Sequence, residues 1–223
     1  AFGPFVTDMY LPSLPVMADY FATNSSMVQL GLTTSMIGLA LGQIFFGPLS
    51  DKYGRRPLLL ASMVLFVLST VCCLFAPDIY SFVTLRLIQG IAGAGGIVIS
   101  RSVAIDKFSG KELAKMLAVI GAINGVAPVA APVIGGLLTG SVGWQGIFMI
   151  LLFIGILLGI GCIRFKESLP AEKRSKTGVW ATFRSFGIIV HNRRYMLYVF
   201  QPAYAQWTIP VRILLLPAHR GGG

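Results

Sequence analysis

The chain has 223 residues, of which 55% are hydrophobic and only 12% are charged, and its mean hydropathy is +0.78. Soluble domains carry roughly 25% charged residues, so this composition excludes a soluble enzyme, a disordered chain and a disulfide-stapled secreted module. A membrane-spanning helix uses about 20 apolar residues, which leaves room for several spans and little else. The sequence therefore predicts an integral membrane protein.

Polar breaks divide the chain into successive apolar blocks. The alternation of apolar and polar residues typical of an outer-membrane barrel is absent, so each block is predicted to be a helix. The first block is incomplete and carries Asp8 together with Pro12 and Pro15. The predicted spans cover about residues 1–17, 28–49, 58–76, 80–100, 113–139 and 147–164.

The loops between these blocks alternate in charge. Those after the first, third and fifth blocks contain no Lys or Arg, whereas the loops at residues 50–57, 101–115 and 164–195 are rich in both. The positive-inside rule makes the cation-rich loops, including Arg101, cytoplasmic, and it places the N-terminus on the cytoplasmic side. The net charge of +10 then reflects topology, and lipid headgroups are a more ordinary partner than nucleic acid.

The three cysteines lie in apolar runs without metal-ligand spacing, and the two histidines are isolated. The sequence therefore predicts neither a metal site nor a disulfide framework.

Asp8 is the carboxylate placed within the core of a predicted span, and Arg86 is the deepest cation of these blocks. Charged side chains at membrane depth are costly, and they commonly serve ion or substrate pathways. Arg86 could pair with Asp8 or bind backbone groups, and Gln89 is expected to support Arg86 by a hydrogen bond. The alternatives are an Asp8 solvated near the outer end of its span and an Arg86 that snorkels to the outer interface.

The most specific motif is Gly47-Pro-Leu-Ser-Asp51-Lys-Tyr-Gly54-Arg55-Arg56, between the second and third blocks. Its glycines permit a tight turn and close helix approach. Asp51 can accept hydrogen bonds from a neighbouring helix N-terminus or pair with Arg55. Such a contact can form in one conformation and break in another, as a cytoplasmic gate requires. The alternative is a polar turn that only carries inside-positive charge.

The fifth block contains a proline- and glycine-rich segment. Its prolines should kink the helix, because each removes a backbone hydrogen bond. The glycines that follow would allow a close, sealing contact with a neighbouring helix. The residues concerned are Pro128, Pro132, Gly135 and Gly136.

Together these motifs resemble those of the major facilitator superfamily. The Gly47–Arg56 string is similar to its cytoplasmic loop motif, and Arg86-Leu-Ile-Gln89-Gly90 resembles its fourth-helix motif. Residues 127–136 resemble the drug:proton antiporter motif, although alanines occupy three usual glycine positions, at Ala118, Ala127 and Ala131. Residues 8–15 resemble the bicyclomycin-resistance and chloramphenicol-exporter branch.

The resemblance implies an all-α membrane protein: the six-helix N-terminal half of the superfamily fold, built as 3+3 inverted repeats. A weak internal echo agrees, since residues 47–54 and 136–143 both read G-x-L-x-x-x-x-G. The implied domains are a bundle at 1–164, a cytoplasmic connector at 165–195 and an aberrant seventh-helix remnant at 196–223. The resemblance is expected to end near residue 201, where prolines and arginines interrupt the apolar run, and this pattern predicts a frameshift or truncation near residue 200.

The resemblance further implies a transporter rather than an enzyme. It would expel a small drug across the bacterial inner membrane in exchange for protons, by alternating access. Asp8, Arg86 and Gln89 would couple proton and substrate. No cofactor is expected, because the proton gradient supplies the energy, and a monomer is expected for the full-length relative. A proton-coupled uptake symporter for a small metabolite and a non-transporting membrane fragment remain as alternatives.

Overall fold

The computed structural model of this protein describes residues 6–170, 172 and 174. Within that part, a short helix α1 (Leu14–Tyr20) precedes four long helices, each long and apolar enough to cross a membrane. The long helices are α2 (Ser25–Tyr53), α3 (Arg55–Leu74), α4 (Ile79–Lys107) and α5 (Gly110–Ile163). The predicted remnant at 196–223 and most of the predicted connector at 165–195 lie outside the described residues.

The first predicted span is not one continuous helix. Residues 6–8 are helical, a turn follows, and a 3₁₀ segment (Leu11–Ser13) leads into α1. Pro12 and Pro15 lack a backbone N–H, so they cannot continue the regular hydrogen-bond ladder. The Ser13 hydroxyl instead donates to the Tyr10 carbonyl at 2.6 Å, which stabilises the irregular stretch. We call residues 6–13 the entry segment.

The long run α5 contains a reversal at Gly143, whose φ of 73° and ψ of −175° interrupt the helix. A straight helix of this length would extend about 80 Å. However, Gly135 lies against Met9, and the Phe148 ring centroid lies 6.5 Å from the ring centroid of Tyr10, which directly follows Met9. Residues on both sides of Gly143 therefore contact the same part of the entry segment. The chain therefore turns back, and we call residues 110–142 arm α5a and residues 144–163 arm α5b.

The two arms cover the positions of the predicted fifth and sixth spans. Because the described chain holds five helices, one of them short, the predicted count of six separate helices is not confirmed. The structure differs from the prediction in two places: the first span is interrupted in the entry segment, and the fifth and sixth spans join directly at Gly143 without an intervening loop.

Side chains cap the N-termini of two long helices. The Asn24 side chain accepts a hydrogen bond from the Met27 backbone N–H at 2.9 Å, and Asp78 accepts one from Ser81 N–H at 2.8 Å. The Ser81 backbone N–H lowers the pKa of the exposed Asp78 carboxyl below its ordinary value. Both caps satisfy helix donors that have no partner within the helix.

Helices α2 and α4 form the closest helix pair. A Cβ added to Gly38 would overlap the Leu87 carbonyl oxygen, and one added to Gly90 would overlap the Ser35 carbonyl oxygen. Small residues at such positions let backbones approach closely, as is common between membrane helices. Around this pair lies an aromatic core from several elements, formed by Tyr10, Phe21, Phe82, Trp144 and Phe148.

Candidate functional site

Arg86 lies fully buried in α4 at the centre of the aromatic core. Its Nη1 donates to the Gln89 side-chain oxygen at 2.6 Å, and its Nη2 donates to the Val6 carbonyl at 2.9 Å. The hydrogen bond expected between Arg86 and Gln89 is therefore present. Arg86 also ties the entry segment to α4, which is the backbone-binding alternative that the sequence left open.

The charge of Arg86 is accommodated by aromatic rings. Its guanidinium carbon lies 4.6 Å from the Tyr10 ring centroid and 5.7 Å from that of Phe148. Among the described residues no carboxylate forms an ion pair with Arg86, so the suggested pairing with Asp8 is not made. Ring faces and carbonyl oxygens attract a desolvated cation and can replace a counter-ion. Full burial also excludes the snorkelling alternative in this conformation.

A hydrogen-bonded chain extends from Arg86 into α3. The Gln89 amide nitrogen donates to the Thr70 hydroxyl at 2.7 Å, and that hydroxyl donates to the Phe66 carbonyl at 2.7 Å. The entry segment, α4 and α3 are thus joined through one buried polar network. Thr70 escaped sequence analysis because a single threonine in an apolar span has no distinguishing pattern.

Asp8 lines a separate cavity of about 290 Å³, which we call the Asp8 cavity. Gln43 of α2 and Ile97 of α4 also line it, and both lie beyond the midpoints of their helices, towards the ends that meet the predicted cytoplasmic loops. This placement argues against an Asp8 that is merely solvated near the outer end of its span. The full lining is Thr7, Asp8, Met36, Leu39, Gln43, Ile97, Arg101 and Asn124.

Arg101 is the second charged residue of the Asp8 cavity. Sequence analysis assigned it to a cytoplasmic loop, but it lies inside α4, before the helix ends at Lys107. The apolar run ends before Arg101 while the helix continues beyond it, so hydropathy alone ends the helix too early. It therefore joins the candidate site as a residue that sequence analysis missed.

A second cavity of about 300 Å³ lies between α3, α4 and both arms of α5, and we call it the lateral cavity. It shares Ile97, Arg101 and Asn124 with the Asp8 cavity. Its remaining lining residues are Leu59, Met63, Gly96, Ser100, Ile120, Leu158 and Cys162.

The Gly47–Arg56 motif forms a compact charged cluster where α2 passes into α3. Gly54 has a φ of 101°, which glycine adopts without steric cost and which ends α2 sharply. The Arg55 guanidinium then reaches Asp51 at 2.5 Å and, from Nε, Asp106 of α4 at 2.9 Å. Arg55 also donates to the Ser50 hydroxyl at 2.6 Å. The predicted Asp51–Arg55 pair is present, and Asp106 joins α4 to it.

Glu167, just beyond α5b, docks onto this cluster. Its carboxylate accepts hydrogen bonds from the backbone N–H groups of Arg55 at 3.0 Å and Arg56 at 3.2 Å, at the N-terminus of α3. Arg56 Nη2 in turn donates to the Ile163 carbonyl at 3.0 Å. Burial raises the pKa of Glu167, but the backbone N–H groups of Leu169, Arg55, Arg56 and Ser168 together hold it below its ordinary value.

Sequence analysis also missed Glu167. The available signal was an acidic residue directly after a span, within a loop whose other charged residues are mainly basic.

The proline–glycine segment contacts the entry segment rather than another long helix. A Cβ added to Gly135 would overlap the Met9 carbonyl oxygen, and one at Gly136 would lie 3.9 Å from the Pro12 side chain. Pro128 is exposed and Pro132 is half-buried. Non-helical φ/ψ within α5 occurs at Gly143, so helical dihedrals continue through both prolines. The predicted close approach exists, while the main break lies further along the chain.

Comparison with known proteins identifies the family. The Major Facilitator Superfamily description matches residues 1–218, which extends past residue 201, where the sequence expectation placed the end of the resemblance. The chain is 40% identical over 199 residues to an uncharacterized MFS-type transporter, YdgK, of Bacillus subtilis, covering 88% of this chain and 50% of that protein.

Two other relatives carry names of drug resistance. The bicyclomycin resistance protein homolog of Haemophilus influenzae is 30% identical over 91% of this chain and 51% of its own length. The chloramphenicol resistance protein of Pseudomonas aeruginosa is 32% identical over 65% of this chain and 35% of its own. The chain spans about half the length of the first two of these curated relatives.

A solved structure supports the same fold. The human organic anion transporter MFSD10 (TETRAN) matches with a TM-score of 0.55 at 23% identity, over 79% of this chain and 48% of that chain. The family match, the apolar helices and the transporter name of the Bacillus relative agree with the sequence analysis. This chain is a multi-pass membrane protein that belongs to the major facilitator superfamily, a family of transport proteins and not of enzymes.

Proposed function

We propose that this chain takes part in proton-coupled export of small amphipathic antimicrobials across the bacterial cytoplasmic membrane, by alternating access. The observation that carries the proposal is the Asp8 carboxylate in a cavity between the entry segment, α2, α4 and α5a. A carboxylate at membrane depth is suited to bind and release a proton. The resistance names of the relatives in Haemophilus and Pseudomonas support export as the direction.

The Arg86 network would transmit the state of the entry segment to the bundle. Asp8 lies two residues from Val6, whose carbonyl binds Arg86. A change at Asp8 that moves the entry segment must therefore alter the contacts of Arg86, Gln89 and Thr70. In this proposal Arg86 and Gln89 have a coupling role that needs no direct ion pair to Asp8.

The charged cluster at the cytoplasmic ends would act as the gate. Arg55 bridges Asp51 of α2 and Asp106 of α4, while Glu167 joins the α3 N-terminus to the segment after α5b. Closing the cluster holds four elements together, and breaking it releases them. In this proposal the N-terminus is cytoplasmic, the proton gradient supplies the energy, and the complete transporter is a monomer.

Everted membrane vesicles containing the chain test this function. Addition of chloramphenicol to energised vesicles should release protons, read as recovery of a quenched acridine dye. Asp8→Asn should abolish the signal, whereas Asp19→Asn, at an exposed aspartate of α1, should leave it intact. Proton release that persists in Asp8→Asn vesicles would refute the assignment of Asp8.

Two alternatives give different results in the same vesicles. An uptake symporter would move substrate and protons in one direction, so substrate addition would change the dye signal with the opposite sign. A non-transporting fragment would show no proton movement with any substrate, although the chain would still be present in the membrane.

A further inference from the structure

The Asp8 cavity and the lateral cavity adjoin each other at shared lining residues. Ile97, Arg101 and Asn124 line both, so α4 and α5a present the same residues to each space. A ligand in one cavity would contact side chains that also border the other. The two cavities therefore form one divided site.

The Asp8 cavity carries balanced charge. Of the described residues that line it, Asp8 and Arg101 are the charged ones, with opposite signs, and Gln43 and Asn124 add neutral amides. No ion pair joins Asp8 to Arg101 in the part of the chain that the structure describes. Both side chains are therefore placed to meet a ligand, one as an acceptor and the other as a donor.

The lateral cavity differs in character. Its polar lining residues are Ser100, Arg101 and Asn124, together with the weakly polar Cys162. Of these, Arg101 and Asn124 also line the Asp8 cavity. The rest of the lining is mainly aliphatic, from Leu59, Ile120 and Leu158 among others. The divided site is thus polar at one end and apolar at the other.

We propose that this divided site selects electroneutral amphipathic molecules, either uncharged or zwitterionic, and disfavours lipophilic monocations. The polar end of the ligand lies between Asp8 and Arg101, and its apolar end fills the lateral cavity. This inference rests on the proposed export function and specifies its substrate class.

The physical reason is cancellation of charge. A monocation gains attraction from Asp8 but meets repulsion of similar size from Arg101 in the same cavity. Its lost hydration then goes uncompensated. A neutral molecule with a donor and an acceptor satisfies both side chains and loses less hydration on entry. Removing the charge of Arg101 should therefore favour binding of cations, and removing the charge of Asp8 should favour binding of anions.

Equilibrium binding to the purified full chain in lipid nanodiscs tests this inference. The probes are chloramphenicol (neutral), tetraphenylphosphonium (a monocation) and 8-anilino-1-naphthalenesulfonate (an anion). Chloramphenicol should bind the unaltered chain more tightly than tetraphenylphosphonium. Arg101→Gln should strengthen tetraphenylphosphonium binding by about tenfold, the effect of one unit charge in a partly solvated cavity. Arg164→Gln, at an exposed arginine outside both cavities, is the matched control.

The reciprocal variant sharpens the test. Asp8→Asn should strengthen binding of the anion, and the double variant Asp8→Asn/Arg101→Gln should show neither gain. The melting temperature of each variant shows whether it is folded. The inference is overturned if Arg101→Gln leaves the ratio of cation to neutral affinity within twofold, if the unaltered chain prefers the cation, or if none of the probes binds.

A filling substitution tests the apolar end. Leu158→Trp, on the lateral cavity, should weaken chloramphenicol binding by about fivefold, whereas Leu157→Trp, at a neighbouring residue that lines neither cavity, should not. Equal effects of both substitutions would remove the lateral cavity from the inference. Charge-dependent binding without proton movement in vesicles would refute the proposed function and leave the ligand class standing.

Discussion

Glu167→Gln is the substitution that most directly tests the cytoplasmic cluster. The carboxylate accepts hydrogen bonds from the backbone N–H groups of Arg55 at 3.0 Å, Arg56 at 3.2 Å, Ser168 at 3.0 Å and Leu169 at 3.1 Å. Glutamine keeps the size of the side chain but replaces one acceptor oxygen with a donor and removes the charge. If the glutamine oxygen takes the place of Oε1, the Arg56 N–H loses its acceptor; in the opposite orientation the other three N–H groups lose theirs.

The expected loss follows from the position of Glu167 at a helix N-terminus. Losing an N-terminal cap lowers stability by about 0.5–2 kcal/mol. A negative charge at an exposed helix N-terminus contributes about 0.3–1 kcal/mol more. The Glu167 side chain is 25% exposed, so solvent screens part of the charge contribution. We expect local opening of the cluster to become easier by about 1.4 kcal/mol, which is about tenfold in the opening equilibrium.

Hydrogen–deuterium exchange in nanodiscs measures this opening. The amides of Arg55 and Arg56 should lose about tenfold of their protection in Glu167→Gln, while amides in the middle of α3 stay unchanged. Glu172→Gln, at an exposed glutamate of the same segment, is the matched control. Unchanged protection at Arg55 and Arg56, or an equal loss in the control, would refute the docking role of Glu167.

The other predictions concern pH and backbone geometry. The pKa of Glu167 is lowered in the folded state, so the stabilisation by its carboxylate is present above the unfolded pKa of about 4.3 and is lost as pH falls through the folded pKa. The protection factors of Arg55 and Arg56 should therefore decline in that acidic window in the unaltered chain. They should not decline there in Glu167→Gln. Gly90→Ala should lower the free energy of unfolding by about 1–3 kcal/mol, because the added Cβ would overlap the Ser35 carbonyl oxygen. Gly121→Ala, where the added Cβ meets open space, should not destabilise the protein. Equal melting temperatures for the two variants would contradict the close approach of α2 and α4. Gly143→Ala should cost about 1–3 kcal/mol because of its positive φ, and Gly140→Ala, within α5a, serves as its control in the same melting assay.

Hydropathy and loop charge predicted much of the fold. The polar breaks near Asp78 and Gly54 mark helix ends in the structure, and the prolines of the first block signalled its irregular course. The turn at Gly143 could not be located in the same way, because glycine is common throughout this chain, with 26 occurrences, and most of them lie in helices. A positive φ depends on how the two arms pack, which no local pattern encodes.

The candidate site was predicted in composition, but only some of its contacts were predicted, namely Arg86–Gln89 and Asp51–Arg55. Asp8 and Arg86 were predicted as site residues because charged side chains are rare within apolar, membrane-spanning segments. The partner of Arg86 proved to be a carbonyl and two aromatic rings, which sequence spacing cannot reveal. Arg101 was predicted to lie in a loop, but the helix continues beyond its apolar stretch, so this residue lies in α4 and lines a cavity.

The reversal at Gly143 has a consequence for how the chain enters the bilayer. A single rod of 54 residues would far exceed the hydrocarbon thickness of about 30 Å, whereas two antiparallel arms fit it. The tip of this hairpin, residues 139–146, carries no charged side chain, while the lysines of α5a and the cations after α5b lie at the opposite end. In the orientation predicted from loop charge, insertion of the hairpin during synthesis therefore translocates only neutral residues at its tip. The membrane-insertion machinery need move no charge across the bilayer to place this part of the protein.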